Sequence, residues 1–161
     1  MDKALESCEK LLQEAQAQKH ACLVGALIVN PEGFIFVQKR SANRELFPNC
    51  WGIAGGHIEE GESLSSALER EIFEETGWEL SSIIALIDIA DWTNPNGATC
   101  REFSFLVEVK GDLTSPRLET TKVSSFRGVT PDKLEVLKEN RSEVDHYIYA
   151  LLQKAFKVLK S

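Results

Sequence analysis

Three glutamates crowd the end of one short stretch of this chain. In the run GGHIEEGESLSSALEREIFEETGW (residues 55–78), Glu71, Glu74 and Glu75 stand at i, i+3 and i+4, on one face of a helix. The surrounding residues predict that helix. Ser63 is an N-cap type, Gly77 suits a left-handed stop, and Leu64, Leu68 and Ile72 recur at helical spacing between them. At ~100° per residue Glu75 falls in line with Leu64 and Leu68, toward the apolar side. A buried carboxylate is costly unless it is paired or holds a metal. The three groups also occupy the C-terminal turn, the negative end of the helix dipole. Like charges at i, i+4 add a few tenths of a kcal/mol against the helix. Arg70 offsets part of this, but one guanidinium does not neutralise three carboxylates. Mg²⁺ would suit the place, because it shares itself between carboxylates, waters and substrate phosphates. The carbonyl of Gly55 is a further hard oxygen donor, within reach because Gly55 and Gly56 admit close approach.

A merely solvated acidic face would lie opposite the leucines. The spacing also resembles a known family. Gly56, five residues, Glu62, seven residues, Arg70-Glu71-Ile72, then Glu74-Glu75, one residue, Gly77 and an apolar residue is similar to the Nudix box. The likeness covers residues 56–78, about a seventh of the chain. It departs at Trp78, where a smaller aliphatic residue is usual, and at Ala54, where Pro often precedes the glycines. Both departures bear on packing and loop shape. The resemblance implies an α/β/α sandwich with a mixed β-sheet and a Mg²⁺-dependent hydrolysis of a diphosphate linkage, with Mn²⁺ able to replace Mg²⁺. It implies Glu71, Glu74, Glu75 and Gly55 as metal ligands and Gly56, Glu62, Arg70 and Gly77 as structural members. Glu71, or a carboxylate from a later loop, would be the general base.

Glu119, in the loop before the last strand, is the first candidate for that later carboxylate, as base or outer ligand, with Glu102 behind it. Arg40 and Arg44 are candidates for binding substrate phosphate, since guanidinium matches phosphate oxygens bidentately. Phe47, Trp51 and Trp92 could stack on a nucleobase, although packing explains each as well. His57 follows the glycines and is weak evidence for a base; His20 and His146 read as structural.

The bulk properties narrow the class. The 161 residues suit a single domain over 1–161, with residues 1–18 as an N-terminal helix packed on it. That helix could also serve a homodimer. Net charge is −7, which argues against a nucleic-acid polymer or an anionic membrane as general partner. Eight of the 25 acidic residues lie in residues 59–79, where the metal is expected, so an anionic substrate is repelled there until a cation binds. Cys8, Cys22, Cys50 and Cys100 show no C-x-x-C or zinc spacing and read as free packing thiols of a reducing compartment. The N-terminus lacks the apolar core of a signal peptide. Together these point to a cytoplasmic protein acting on a small diphosphate-containing molecule.

Along the chain, residues 2–18 predict an amphipathic helix. Residues 21–30 and 34–40 predict two strands joined as a hairpin by Pro31-Glu32-Gly33. Residues 41–50 form a polar loop and 51–53 a short strand leading into the motif loop. Strands follow at 83–91 and 102–109 around the turn TNPNGAT, then a loop at 111–119 and a strand at 122–129. Thr130-Pro131 opens a short helix, and residues 143–160 form the last one. Two other functions fit the same residues less well. A nucleotide sensor has no need of three carboxylates at an unfavourable helix end. The run 40–62 is also similar to isopentenyl diphosphate isomerases, with Cys50 near the place of their cysteine, but the box is in its complete hydrolase form.

Overall fold

The apolar run after His20 becomes a central strand, β1 (Ala21–Ile28), in the computed structural model, which describes residues 2–161. The run is apolar throughout because both its faces are covered. Helix α1 (Asp2–Ala17) precedes it, and β2 (Ile35–Arg40), β3 (Trp51–Gly52) and β4 (Ala54–His57) follow. Next come α2 (Leu64–Thr76), the long hairpin of β5 (Glu79–Thr93) and β6 (Thr99–Lys110), and β7 (Val123–Val129). A 3₁₀ segment (Pro131–Lys138) and α3 (Tyr147–Lys160) complete the chain.

A mixed four-stranded sheet runs β4-β1-β6-β5, with β1 and β6 parallel and the outer pairs antiparallel. Val24, Ala26, Phe103 and Phe105 face one way, against Leu12, Leu64, Leu68 and Ile72 of α1 and α2. Leu27 and Leu106 face the other way, against Leu151, Leu152 and Phe156 of α3. This is the expected α/β/α sandwich. The remaining strands form a second, antiparallel sheet, β3-β2-β7.

The expected hairpin between the first two strands does not form. Asn30 Oδ1 accepts from the N–H groups of Glu32 and Phe34 at 3.1 and 2.8 Å and turns the chain. The bridge Val29–Ile35 and the bond from Asn30 N–H to Phe34 O close the turn, but no ladder follows between β1 and β2. Val29 N–H donates to Val107 O, so this edge of β1 stays with β6, while β2 pairs with β7. The last helix begins at Tyr147 instead of residue 143. Asp145 is drawn to Arg141 at 3.0 Å and accepts from Tyr147 N–H, which holds the preceding residues in a turn.

Helix α2 is fixed at both ends. Ser63 Oγ accepts from Ser66 N–H at 3.1 Å, and Glu9 of α1 accepts from Leu64 N–H at 2.6 Å, two N-terminal donors satisfied. Gly77 closes the other end at φ 77°, its N–H bonded to Phe73 O. Leu64, Leu68 and Ile72 are fully buried, each worth about 1.5–3 kcal/mol as an upper estimate.

Candidate active site

The two glycines ahead of α2 are strand, not loop, and β4 is an edge of the mixed sheet. Register alternates their faces. Gly56 turns toward α2, where a Cβ would lie 2.6 Å from the Glu71 carboxylate. Gly55 pairs with Gly25; its φ is 156° and a Cβ would collide with the Val24 carbonyl. The Gly55 N–H donates to Glu75 Oε2 at 2.6 Å. Glu71 therefore reaches β4 because no side chain stands at Gly56, and Glu75 reaches it through the Gly55 N–H.

Arg70 gathers the others. Its Nε and Nη2 donate to Glu62 at 2.7 and 2.8 Å, and Nη1 reaches Glu71 at 2.9 Å and Glu74 at 3.2 Å. Nη2 also donates to His57 O at 2.9 Å, and Glu62 accepts from Glu59 N–H. Helix and loop are thus tied together through one guanidinium. The hydrogen bond from Arg70 holds Glu62 below the ordinary carboxylate range, and Glu62 in turn pushes Arg70 up. Glu71 is raised, because burial outweighs the help of Arg70. Glu75 is pushed up to about 8, by burial first, against which the single Gly55 N–H is insufficient. Its position on the apolar side of the helix is the one its spacing implies.

The two candidate later carboxylates part company. Glu119 acts electrostatically on both Glu71 and Glu75 and sits 3.4 Å from Lys122. Arg117 brings it there: its N–H donates to Thr76 O at 2.7 Å, its guanidinium donates to Phe73 O, and it stacks on the Phe73 ring. The first bond uses a carbonyl left without an intrahelical partner at the C-terminus of α2, and the second adds to the Phe73 carbonyl that Gly77 already engages. Glu102 lies on the opposite face of the sheet and accepts from Tyr147 Oη at 3.1 Å.

Arg40 is half-buried and its charge reaches Glu75; burial lowers it, helped by Arg44 and Arg141. Its Nε donates to Leu46 O. Arg141, which the sequence reading did not single out, braces the loop by donating to Trp51 O at 2.7 Å and packing on the exposed Phe47 ring. Trp51 is a packing residue, buried and bonded to Glu139. Cys50 is buried too, its thiol directed at the carbonyls of Pro48 and Asn140. No sequence signal marks Arg117, Arg141 or the Glu9 cap, because each acts across a long separation.

Among the described residues, no three Asp, Glu, His or Cys side chains converge at metal-ligand spacing. Glu71 and Glu74 turn to Arg70, and Glu75 turns to Gly55. The donor chemistry still fits a hard divalent ion, since every available group is an oxygen and Glu75 is desolvated without a full counter-charge.

Comparison with known proteins gives the family. The family model for the NUDIX domain matches residues 19–152. An uncharacterized Nudix hydrolase of Listeria innocua is 31% identical over 136 residues, covering 78% of this chain and 72% of that protein. The nucleoside triphosphatase NudI of Salmonella agona is 38% identical over 66 residues, 41% of this chain and 44% of its own length. An uncharacterized Nudix hydrolase of Nostoc matches over 37% of its length, so the chain spans less than half of these two relatives. The structure of a MutT Nudix hydrolase from Burkholderia pseudomallei aligns with TM-score 0.67 and 26% identity, covering 83% of this chain and 96% of that one. The MutT protein from Methanosarcina mazei, at 20% identity, shares the fold with TM-score 0.69. The chain belongs to the Nudix family.

Proposed function

We propose that the chain is a Mg²⁺-dependent hydrolase that cleaves the diphosphate linkage of a nucleoside triphosphate or nucleoside diphosphate derivative by water attack on phosphorus. The observation that carries this reading is Glu75, a half-buried and strongly desolvated carboxylate at the negative end of a helix, compensated by one N–H. Glu71, Glu74, Glu75 and the Gly55 carbonyl would hold Mg²⁺, or Mn²⁺ in its place, which neutralises phosphate charge and acidifies a bound water. Glu119 serves as general base or outer ligand, with Glu71 as the other base. Arg40 and Arg44 bind phosphate oxygens. Arg70, Glu62, Gly56 and Gly77 hold the carboxylates in place.

A nucleotide substrate is supported by the likeness to a nucleoside triphosphatase. The buried Cys50 thiol speaks against an isomerase that needs an exposed one. We place the activity in one domain over residues 1–161, in the cytoplasm, where four free buried thiols are at home. No helix among the described residues is long and apolar enough to cross a membrane. The test is a screen of nucleoside di- and triphosphates, nucleotide sugars, ADP-ribose, dinucleoside polyphosphates and isopentenyl diphosphate, with and without Mg²⁺. Cleavage only with Mg²⁺ is expected, a triphosphate giving pyrophosphate or phosphate and a nucleoside diphosphate derivative giving a nucleoside monophosphate and the phosphorylated second moiety. Conversion of isopentenyl diphosphate alone, or tight nucleotide binding without turnover, would contradict it.

A further inference from the structure

One half-buried carboxylate has no part in the chemistry above. Glu102 lies on β6, on the face covered by α3, as its neighbour Leu106 shows. Burial raises its carboxyl, and the Tyr147 hydroxyl at the start of α3 donates to Oε2 at 3.1 Å. Beside that hydroxyl, Ser104 Oγ is fully buried, with the Tyr147 hydroxyl as its neighbour and no hydrogen bond of regular geometry. Native interiors rarely leave such groups unpaired without a reason. Both Glu102 and Tyr147 stay partly exposed, so the cluster opens to solvent.

Register places this cluster two strands from the β4 edge, where Gly55 N–H meets Glu75, on the α3 face of the sheet. Gly55 pairs with Gly25, and Gly25 with Ser104; Leu23 pairs with both His57 and Glu102. The row from the β4 edge to Ser104 and Glu102 therefore crosses two strand spacings, ~10 Å. That is the order of the reach of a nucleoside from its phosphate to its base. Ile53 lies across Gly25, beside Ser104, and with Leu23 gives the row an apolar wall.

We propose that Glu102 and Tyr147 determine specificity by binding a substrate moiety that presents two adjacent N–H or O–H donors, with the diphosphate at the α2 carboxylates. The assignment rests on the hydrolase reading for where the phosphates lie. A carboxylate with one oxygen engaged by Tyr147 still accepts two further hydrogen bonds, and those to a charged group are the strong ones. Two sources share this chemistry, the N1–H and N2–H edge of guanine and the cis-diol of ribose.

The experiment is titration calorimetry in Mg²⁺ with GMP, UMP and 2′,3′-dideoxy-GMP on the parent, Glu102→Gln and Tyr147→Phe. The parent is expected to prefer GMP about tenfold, the worth of a hydrogen bond to a charged group. Preference over UMP assigns the base edge, and preference over the dideoxy form assigns the diol. Glu102→Gln should abolish the preference while keeping its melting temperature, because the amide fills the same volume. Tyr147→Phe should weaken it about threefold. An unchanged preference in folded Glu102→Gln, or no preference in the parent on either pair, would overturn the assignment. Turnover by the parent with an unchanged preference in Glu102→Gln defeats this assignment alone. A lost preference in Glu102→Gln without any turnover by the parent defeats hydrolysis alone.

Discussion

Replacing Glu75 by glutamine keeps the shape of the side chain and removes the charge that a cation needs. Turnover at saturating Mg²⁺ is expected to fall at least ~100-fold, and near-parental turnover would remove Glu75 from the ligand set. The same variant exposes a pH effect in protein stripped of divalent ions. The folded-state carboxyl sits at about 8 against an ordinary 4.5, so folding favours the protonated form. Its stabilising contribution is full below about 4.5 and lost as pH rises through about 8. Denaturant midpoints of parent and Glu75→Gln should therefore agree near pH 4, with the variant pulling ahead by pH 8. A constant difference across that range would mean Glu75 is not desolvated. At this scale much was legible: the line Leu64, Leu68, Glu75 already turned the acid inward. The edge-strand seat was not, because a Gly-Gly pair reads equally as loop or strand.

The scale of the element is where α2 gets its rigidity. Ser63→Ala removes the Ser66 N–H partner and should cost about 1 kcal/mol of stability, with the Michaelis constant unchanged. Gly56→Ala acts differently, because its Cβ would meet the Glu71 carboxylate at 2.6 Å. It is expected to lower turnover more than ~10-fold with a small change in melting temperature, since a misplaced catalytic group costs rate first. A melting temperature that collapses with activity would show Gly56 to be a folding residue only. The two helix caps of α2 were readable from Ser63 and Gly77. The clamp by Arg117 and the Glu9 cap were not, since nothing local links residues so far apart. For the same reason the sequence predicts a hairpin for the first two strands: a turn signal reports that the chain reverses, not which strand each arm then joins.

For the molecule as a whole, the sandwich was implied by the box resemblance and by strands flanking a central helix, and it is the fold observed. The division into two sheets was not, because strand signals carry no partner information. Topology also separates Glu119 from Glu102 in a way the sequence does not carry: alternation within β6 sends Glu102 to the α3 face, while Arg117 draws Glu119 toward α2. Side-by-side kinetics should show Glu119→Gln impaired in turnover with its Michaelis constant near parental, and Glu102→Gln impaired in the Michaelis constant. The reverse pattern would exchange their roles. The central claim, that the α2 carboxylates hold an ion needed for diphosphate hydrolysis, meets its most direct test in Mg²⁺ titration followed by melting temperature. The parent should gain stability with Mg²⁺, because the ion binds the folded cluster and not the unfolded chain. The Glu74→Gln, Glu75→Gln double variant should lose most of that gain together with nucleotide turnover, whereas an equal gain in both proteins would place the ion elsewhere and contradict the account.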